Sequence, residues 1–205
     1  MKSVLRNTAP YRLLTLIRGY LQWGGRQYAA PSPHAIKQAC LLRNSFPDAT
    51  WVETGTYLGQ TTKVLSKVAS MVHSIEPEPT LCANAKKYFS GYSNVEIHAG
   101  TSEEVFPSLL PRISGDVNFW LDGHYSAGVT FKGPQDTPIM DELRVVSENL
   151  GHFGKVCVLV DDIRCFNPHL AEYATYPSLD VLVDWARANQ LNWHIEHDIF
   201  VAKRG

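Results

Sequence analysis

The sequence predicts an α/β protein built on one mostly parallel sheet with helices on both faces. Three observations predict it. Short, β-prone apolar runs alternate with helical stretches along the whole chain. Four of those runs finish in acids, at Glu53, Glu76, Asp122 and the pair Asp161-Asp162. The first run passes into a glycine turn, Glu53-Thr54-Gly55-Thr56-Tyr57-Leu58-Gly59, and then into a helix. A strand, a glycine turn and a helix make the first half of a nucleotide-binding βαβ unit.

Size and composition agree with one domain. The chain has 205 residues, 44% hydrophobic and 19% charged, enough for a full core. We read residues 1–46 as an N-terminal helical extension and 47–205 as the Rossmann-like core. The net charge of -1 provides no field for nucleic acid or an anionic membrane. Cys40, Cys82, Cys157 and Cys165 form no C-x-x-C and suggest neither zinc nor a disulfide framework. Cys157 sits in an apolar run and reads as a buried free thiol. A reduced, cytoplasmic setting follows. The apolar run Leu13–Ile17, flanked by Arg12 and Arg18, is too short for a membrane span. The expected partner is a small molecule, and a homodimer is left open.

Taken in order, Leu13, Leu14, Ile17, Tyr20 and Leu21 recur at helical spacing, so residues 10–22 read as an amphipathic helix packed on the domain. Pro31-Ser32-Pro33 leads into a second helix, His34–Asn44. Trp51 and Val52 form a short buried strand ended by Glu53, and the helix opened by Gln60 runs through Val64, Leu65 and Val68. Met71–Ile75 is a strand, and Pro79 suits the first turn of the helix after it. Val95–His98 is a third strand, followed by Gly100 and a helix start at Ser102, Glu103 and Glu104. Val117–Leu121 is the fourth strand, Pro138–Leu150 a helix, and Lys155–Val160 the fifth strand. Leu179–Asn189 reads as a helix. Leu191–Glu196 and Ile199–Ala202 pair as an antiparallel hairpin about His197-Asp198, which brings the sheet to seven strands.

In a doubly wound sheet the strand C-termini share one rim, where ligands bind. Helix capping explains one or two acids there, not four. Glu53 beside the glycine turn would repel a phosphate and attract an ammonium group, so the turn points to an amino-acid-like ligand.

On these residues the chain resembles the class I S-adenosylmethionine-dependent methyltransferases, over roughly residues 48–203. E-T-G-T-Y-L-G is similar to their first motif. The resemblance implies that Glu53, Thr54, Gly55, Thr56 and Gly59 contact the amino and carboxypropyl end of S-adenosylmethionine. Glu76 matches the acid that takes the ribose hydroxyls, and Thr101 and Ser102 fall where the adenine pocket is lined. Asp122 also falls on the cofactor side of the rim.

A narrower resemblance is to the metal-dependent small-molecule O-methyltransferases, of the catechol type and the macrolide and aminocoumarin sugar type. It rests on Leu121-Asp122-Gly123-His124 with Val160-Asp161-Asp162. It implies Mg²⁺ held by Asp122, Asp161 and Asp162. Adjacent strands lie about 4.8 Å apart, so these carboxylates are able to converge on one hard cation. The sugar-type group often has a second acid two residues after the first; here that position is His124. His124, with Asp122, is the catalytic candidate, a neutral imidazole taking the acceptor's proton. The segment Ser126–Thr137 reads as a cover for the acceptor, and Arg164, Phe166, His169, Tyr173 and Tyr176 read as acceptor contacts.

The expected function is metal-assisted O-methylation of a small hydroxylated molecule. The alternatives are a metal-independent methyltransferase with His124 as base, and a non-catalytic S-adenosylmethionine-binding module.

Overall fold

The computed structural model describes residues 9–122 and 137–205, with side chains from residue 14 onward. His124 and most of the Ser126–Thr137 segment lie outside the described residues. The elements are α1 (Ala9–Gly25), α2 (His34–Asn44), β1 (Thr50–Thr54), α3 (Gln60–Leu65), β2 (Met71–Glu76), α4 (Pro79–Phe89) and β3 (Val95–Ala99). They continue with α5 (Ser102–Leu109), β4 (Gly115–Leu121), α6 (Ile139–Asn149), β5 (Phe153–Val160), α7 (Leu179–Ala188), β6 (Asn192–Glu196) and β7 (Ile199–Arg204).

The seven strands form one sheet in the order β3-β2-β1-β4-β5-β7-β6. The first five are parallel. β7 runs antiparallel to both β5 and β6, as the C-terminal hairpin required. His197 and Asp198 make its turn with φ of 50° and 69°, the left-handed pair a tight hairpin needs.

Alternation along the strands assigns the faces. Trp51, Val72, Trp120, Cys157, Leu159 and Val201 pack under Cys40 and Leu41 of α2 and Leu65 of α3. Val52, Ile75, Phe119, Val158, Val160 and Phe200 face the other way, against α5, α6 and α7. Both faces of the inner strands are dry, which is why they read as near-continuous apolar runs. Strand order reverses between β1 and β4, and the crevice at their C-terminal ends is the ligand position this topology creates.

Some sequence expectations change. β1 does not end at Glu53; it continues to Thr54, because Glu53 and Thr54 pair in register with Ser74 and Ile75 of β2. α3 stops at Leu65, with Val68 in the turn beyond. The N-terminal helix also differs. α1 extends to Gly25, but it does not bury its apolar side: Leu14, Leu16, Ile17, Tyr20 and Leu21 are all exposed. It meets the domain near its end, where the Trp23 ring lies 6.0 Å from that of His197. Among the described residues no helix is long and apolar enough to cross a membrane.

Gly59 shows why the turn before α3 must contain a glycine. It precedes α3 with φ of 68°, and a Cβ there would sit 2.7 Å from Phe89 Cε2. Both backbone and space exclude a side chain. Gly59→Ala should therefore lose about 1–3 kcal/mol of stability, read as a lower urea midpoint with an unchanged slope.

Candidate active site

The rim at β1, β2 and β4 is tied together by the backbone of the glycine turn. Gly55 (φ 83°) and Thr56 both donate their N–H to Ile75 O, at 3.0 and 3.1 Å. Glu76 closes β2. Its Oε2 accepts the Tyr57 N–H at 2.7 Å and its Oε1 accepts the Glu78 N–H at 3.0 Å. The Gly100 N–H donates to Glu76 O at 3.2 Å. The carboxylate is thus fixed on both oxygens, each with lone pairs left over.

Glu53 points under the turn rather than across it. It is 1% exposed, and its Oε2 accepts from Thr62 Oγ1 at 2.5 Å and Ser74 Oγ at 2.6 Å. Thr56 Oγ1 joins the same chain through Ser74 Oγ at 2.6 Å. Burial pushes the Glu53 carboxyl up to about 7, against the two hydroxyls that favour its charged form. Thr54 faces the other side of the sheet, where its Oγ1 accepts the Asp122 N–H at 3.1 Å. Thr101 caps α5 in a capping box, and its N–H donates to Glu104 Oε2 at 3.0 Å. Ser102 is buried at the first turn of α5. The structure therefore gathers Glu53, Thr54, Gly55, Thr56 and Glu76 at one rim.

The acids expected to hold magnesium have different company. Lys37 of α2 reaches the end of β5 from the N-terminal extension. Its Nζ donates to Asp161 at 2.6 and 2.8 Å and to Asp162 Oδ1 at 2.6 Å. Arg164 Nη1 also donates to Asp162 Oδ1, at 2.5 Å, and pairs with Asp198. Burial works against the Lys37 ammonium, but Asp161 and Asp162 outweigh it and hold the lysine above its ordinary value. Burial, helped by Asp122, moves Asp161 upward. Among the described residues, the His, Cys, Asp and Glu side chains that bring three ligand atoms within 4.8 Å of one another are His73, Glu96 and His98. Asp122, Asp161 and Asp162 do not form such a group. The lysine and arginine already supply the positive charge that a divalent ion was expected to bring.

Beside this network lies a small pocket, lined by Ile139, Glu142, Asp161, Asp162, Phe166 and Tyr176 among others. Phe166 and Tyr176, two of the residues expected to contact the acceptor, meet edge to face at 5.7 Å in the pocket wall. Arg164 is engaged with the acids instead.

Three residues went unrecognised in the sequence. Lys37 is one. His34, one turn earlier on α2, is another. Its Nε2 lies 2.9 Å from Gln38 Nε2 and 3.5 Å from Thr61 Oγ1, and burial lowers its pKa while Asp122 opposes the shift. Their i, i+3 spacing places both on one helix face, and that spacing was the available signal. The third is Glu142 of α6, 2% exposed, whose Oε1 is buried with no hydrogen-bond partner among the described residues. Burial pushes it up to about 7, with Ser102 and Thr54 pulling the other way.

Glu142 has a pH consequence. Its folded value of about 7 exceeds its ordinary value of 4.5. Its favourable contribution is present below pH 4.5 and lost as pH rises through about 7. Glu142→Gln should remove that part of the slope and be more stable than wild type at pH 8 by on the order of 2 kcal/mol. Urea denaturation at pH 5 and pH 8 checks it.

No family model matches the sequence, and no curated protein matches it. Solved structures do. A Streptococcus mutans protein assigned as a methyltransferase, in complex with SAH, superposes with a TM-score of 0.51 at 13% identity, covering 85% of this chain and 98% of that one. The N-methyltransferase NodS from Bradyrhizobium japonicum WM9 gives 0.52 at 13% identity, covering 82% and 93%. The 23S rRNA methyltransferase ErmE gives 0.51 at 14% identity, covering 85% and 68%. At these identities the likeness is one of fold. The chain has the Rossmann-like architecture of a methyltransferase fold, a parallel sheet that ends in a C-terminal antiparallel hairpin.

Proposed function

We propose that the protein transfers the methyl group of S-adenosylmethionine to a small hydroxylated acceptor, without a resident metal ion. The observation that carries the reading is Glu76. Its carboxylate is held by two backbone N–H groups beside the glycine turn, at the end of β2, one strand from the switch point of a methyltransferase-like sheet. The residues present fit the cofactor. Glu76 offers its remaining lone pairs to two ribose hydroxyls. The Gly55 turn, at φ 83°, faces the amino-acid end, and buried Glu53 lies behind it.

When bound, the cofactor supplies an electrophilic sulfonium methyl; the chain supplies the rest. Phe166 and Tyr176 shield the acceptor from water. His34, on the same face of α2 as Lys37, is the candidate proton acceptor, since Asp122 would favour its imidazolium. The residues do not fit magnesium, because Lys37 holds both Asp161 and Asp162. An ion there would have to displace a buried ammonium. Four free, buried thiols suit a reducing compartment.

The test is transfer of label from methyl-labelled S-adenosylmethionine to a panel of small phenols, catechols and sugars, with and without EDTA. We expect the acceptor that is labelled to be labelled equally in EDTA. Transfer abolished by EDTA and restored by Mg²⁺ would return Asp122, Asp161 and Asp162 to a metal site.

A further inference from the structure

We propose that His73, Glu96 and His98 form a binding site for a divalent transition ion of the zinc class, on the outer edge of the sheet and separate from the rim. β2 and β3 pair in parallel with His73 opposite Glu96 and Ile75 opposite His98. All three side chains therefore project from the same face, the one that carries Val52 and Ile75.

The distances have the shape of a coordination sphere. His73 Nδ1 is 3.1 Å from His98 Nε2. Glu96 Oε2 is 3.4 Å from His73 Nδ1 and 3.8 Å from His98 Nε2. Around a tetrahedral ion with bonds of about 2.0–2.1 Å, ligand atoms stand about 3.3 Å apart. The three edges of this triangle bracket that value. Two imidazole nitrogens aimed at one another share a single proton at best. An ion between them uses both lone pairs.

The donor set selects the ion. Two imidazoles and one carboxylate suit zinc and its neighbours, not magnesium or calcium, which want oxygen. Burial lowers the pKa of both imidazoles. The histidine side chains are 14% exposed and Glu96 56%, which leaves an entry path and a fourth position for water. Arg112 faces both rings and Lys86 faces His98. Their charge opposes a cation and sets the site below the tightest structural zinc sites.

An ion here would pin β3, which pairs only with β2, to its neighbour. The site lies just below the rim, three residues before Glu76 on β2 and two before Gly100 on β3. Its occupancy stabilises the strand that holds Glu76 without touching the cofactor crevice.

The experiment uses untagged, full-length protein stripped with a chelator. Zn²⁺ is titrated by calorimetry, Co²⁺ by visible absorption, and thermal stability is followed with and without Zn²⁺. We expect one Zn²⁺ per chain, a tetrahedral Co²⁺ spectrum displaced by Zn²⁺, and a raised Tm. His73→Asn and His98→Asn should each weaken Zn²⁺ binding by more than the roughly 10–100-fold that losing an outer-shell partner costs. Glu96→Gln, at an exposed position, should do the same with the fold intact. Wild-type protein that binds no Zn²⁺, or equal binding by wild type and Glu96→Gln with an octahedral Co²⁺ spectrum, would overturn the proposal.

Discussion

Lys37→Met is expected to destabilise the protein by about 3–5 kcal/mol, because it leaves buried carboxylates without their counter-charge. The Lys37 side chain is 11% exposed and that of Asp161 5%, so water replaces little of the lost interaction. Arg164 still reaches Asp162, which protects one acid more than the other. The control is the triple variant Lys37→Met, Asp161→Asn, Asp162→Asn. With the carboxylates neutralised, most of the lost stability should return. Denaturant midpoints of the wild type and both variants decide it. A single variant within 1 kcal/mol of wild type would show that the pair carries no such weight. The single variant, if it folds in high salt, should also gain sensitivity to Mg²⁺, since the position between Asp161 and Asp162 is then open.

Glu76→Ala is expected to weaken S-adenosylmethionine binding by roughly 1.5–3 kcal/mol, about 10–150-fold. Two losses combine. The ribose hydroxyls lose a charged acceptor, and the Tyr57 and Glu78 N–H groups lose the oxygens that fix the turn. Glu76→Gln separates them, since the amide oxygen keeps one backbone bond while the charge is gone. Affinity should fall in the order wild type, Gln, Ala. Equal affinity in all three would remove Glu76 from the cofactor site.

The elements were readable wherever the cause was local. Regular alternation of apolar runs and helices foretold a parallel sheet, and β1, β2, β4 and β5 end at or beside the acids that marked the rim. What escaped was long-range or depended on register. Lys37 lies 124 positions from Asp161, and nothing in a single sequence pairs them. A helical lysine reads as a solvated charge until the sheet places it under two carboxylates. Glu142 falls among the first-turn acids of α6, where a macrodipole role is the ordinary expectation. Only the approach of α5 and β1 shows that it is sealed. Glu53 read as a ligand beside a turn, but its register with Ser74 turns it onto the face where Thr62 waits. In α1 the apolar spacing was visible, while its exposure was not, because periodicity records a face and says nothing of what covers it.

The central claim is that the crevice between β1 and β4 binds an S-adenosyl cofactor. Titration of the purified wild-type chain with S-adenosylhomocysteine in a calorimeter, in the presence of EDTA, tests it most directly. The account predicts saturable binding of one ligand per chain, unaffected by the chelator and weakened by Glu76→Ala. Folded wild-type protein that takes up neither S-adenosylhomocysteine nor S-adenosylmethionine would contradict it.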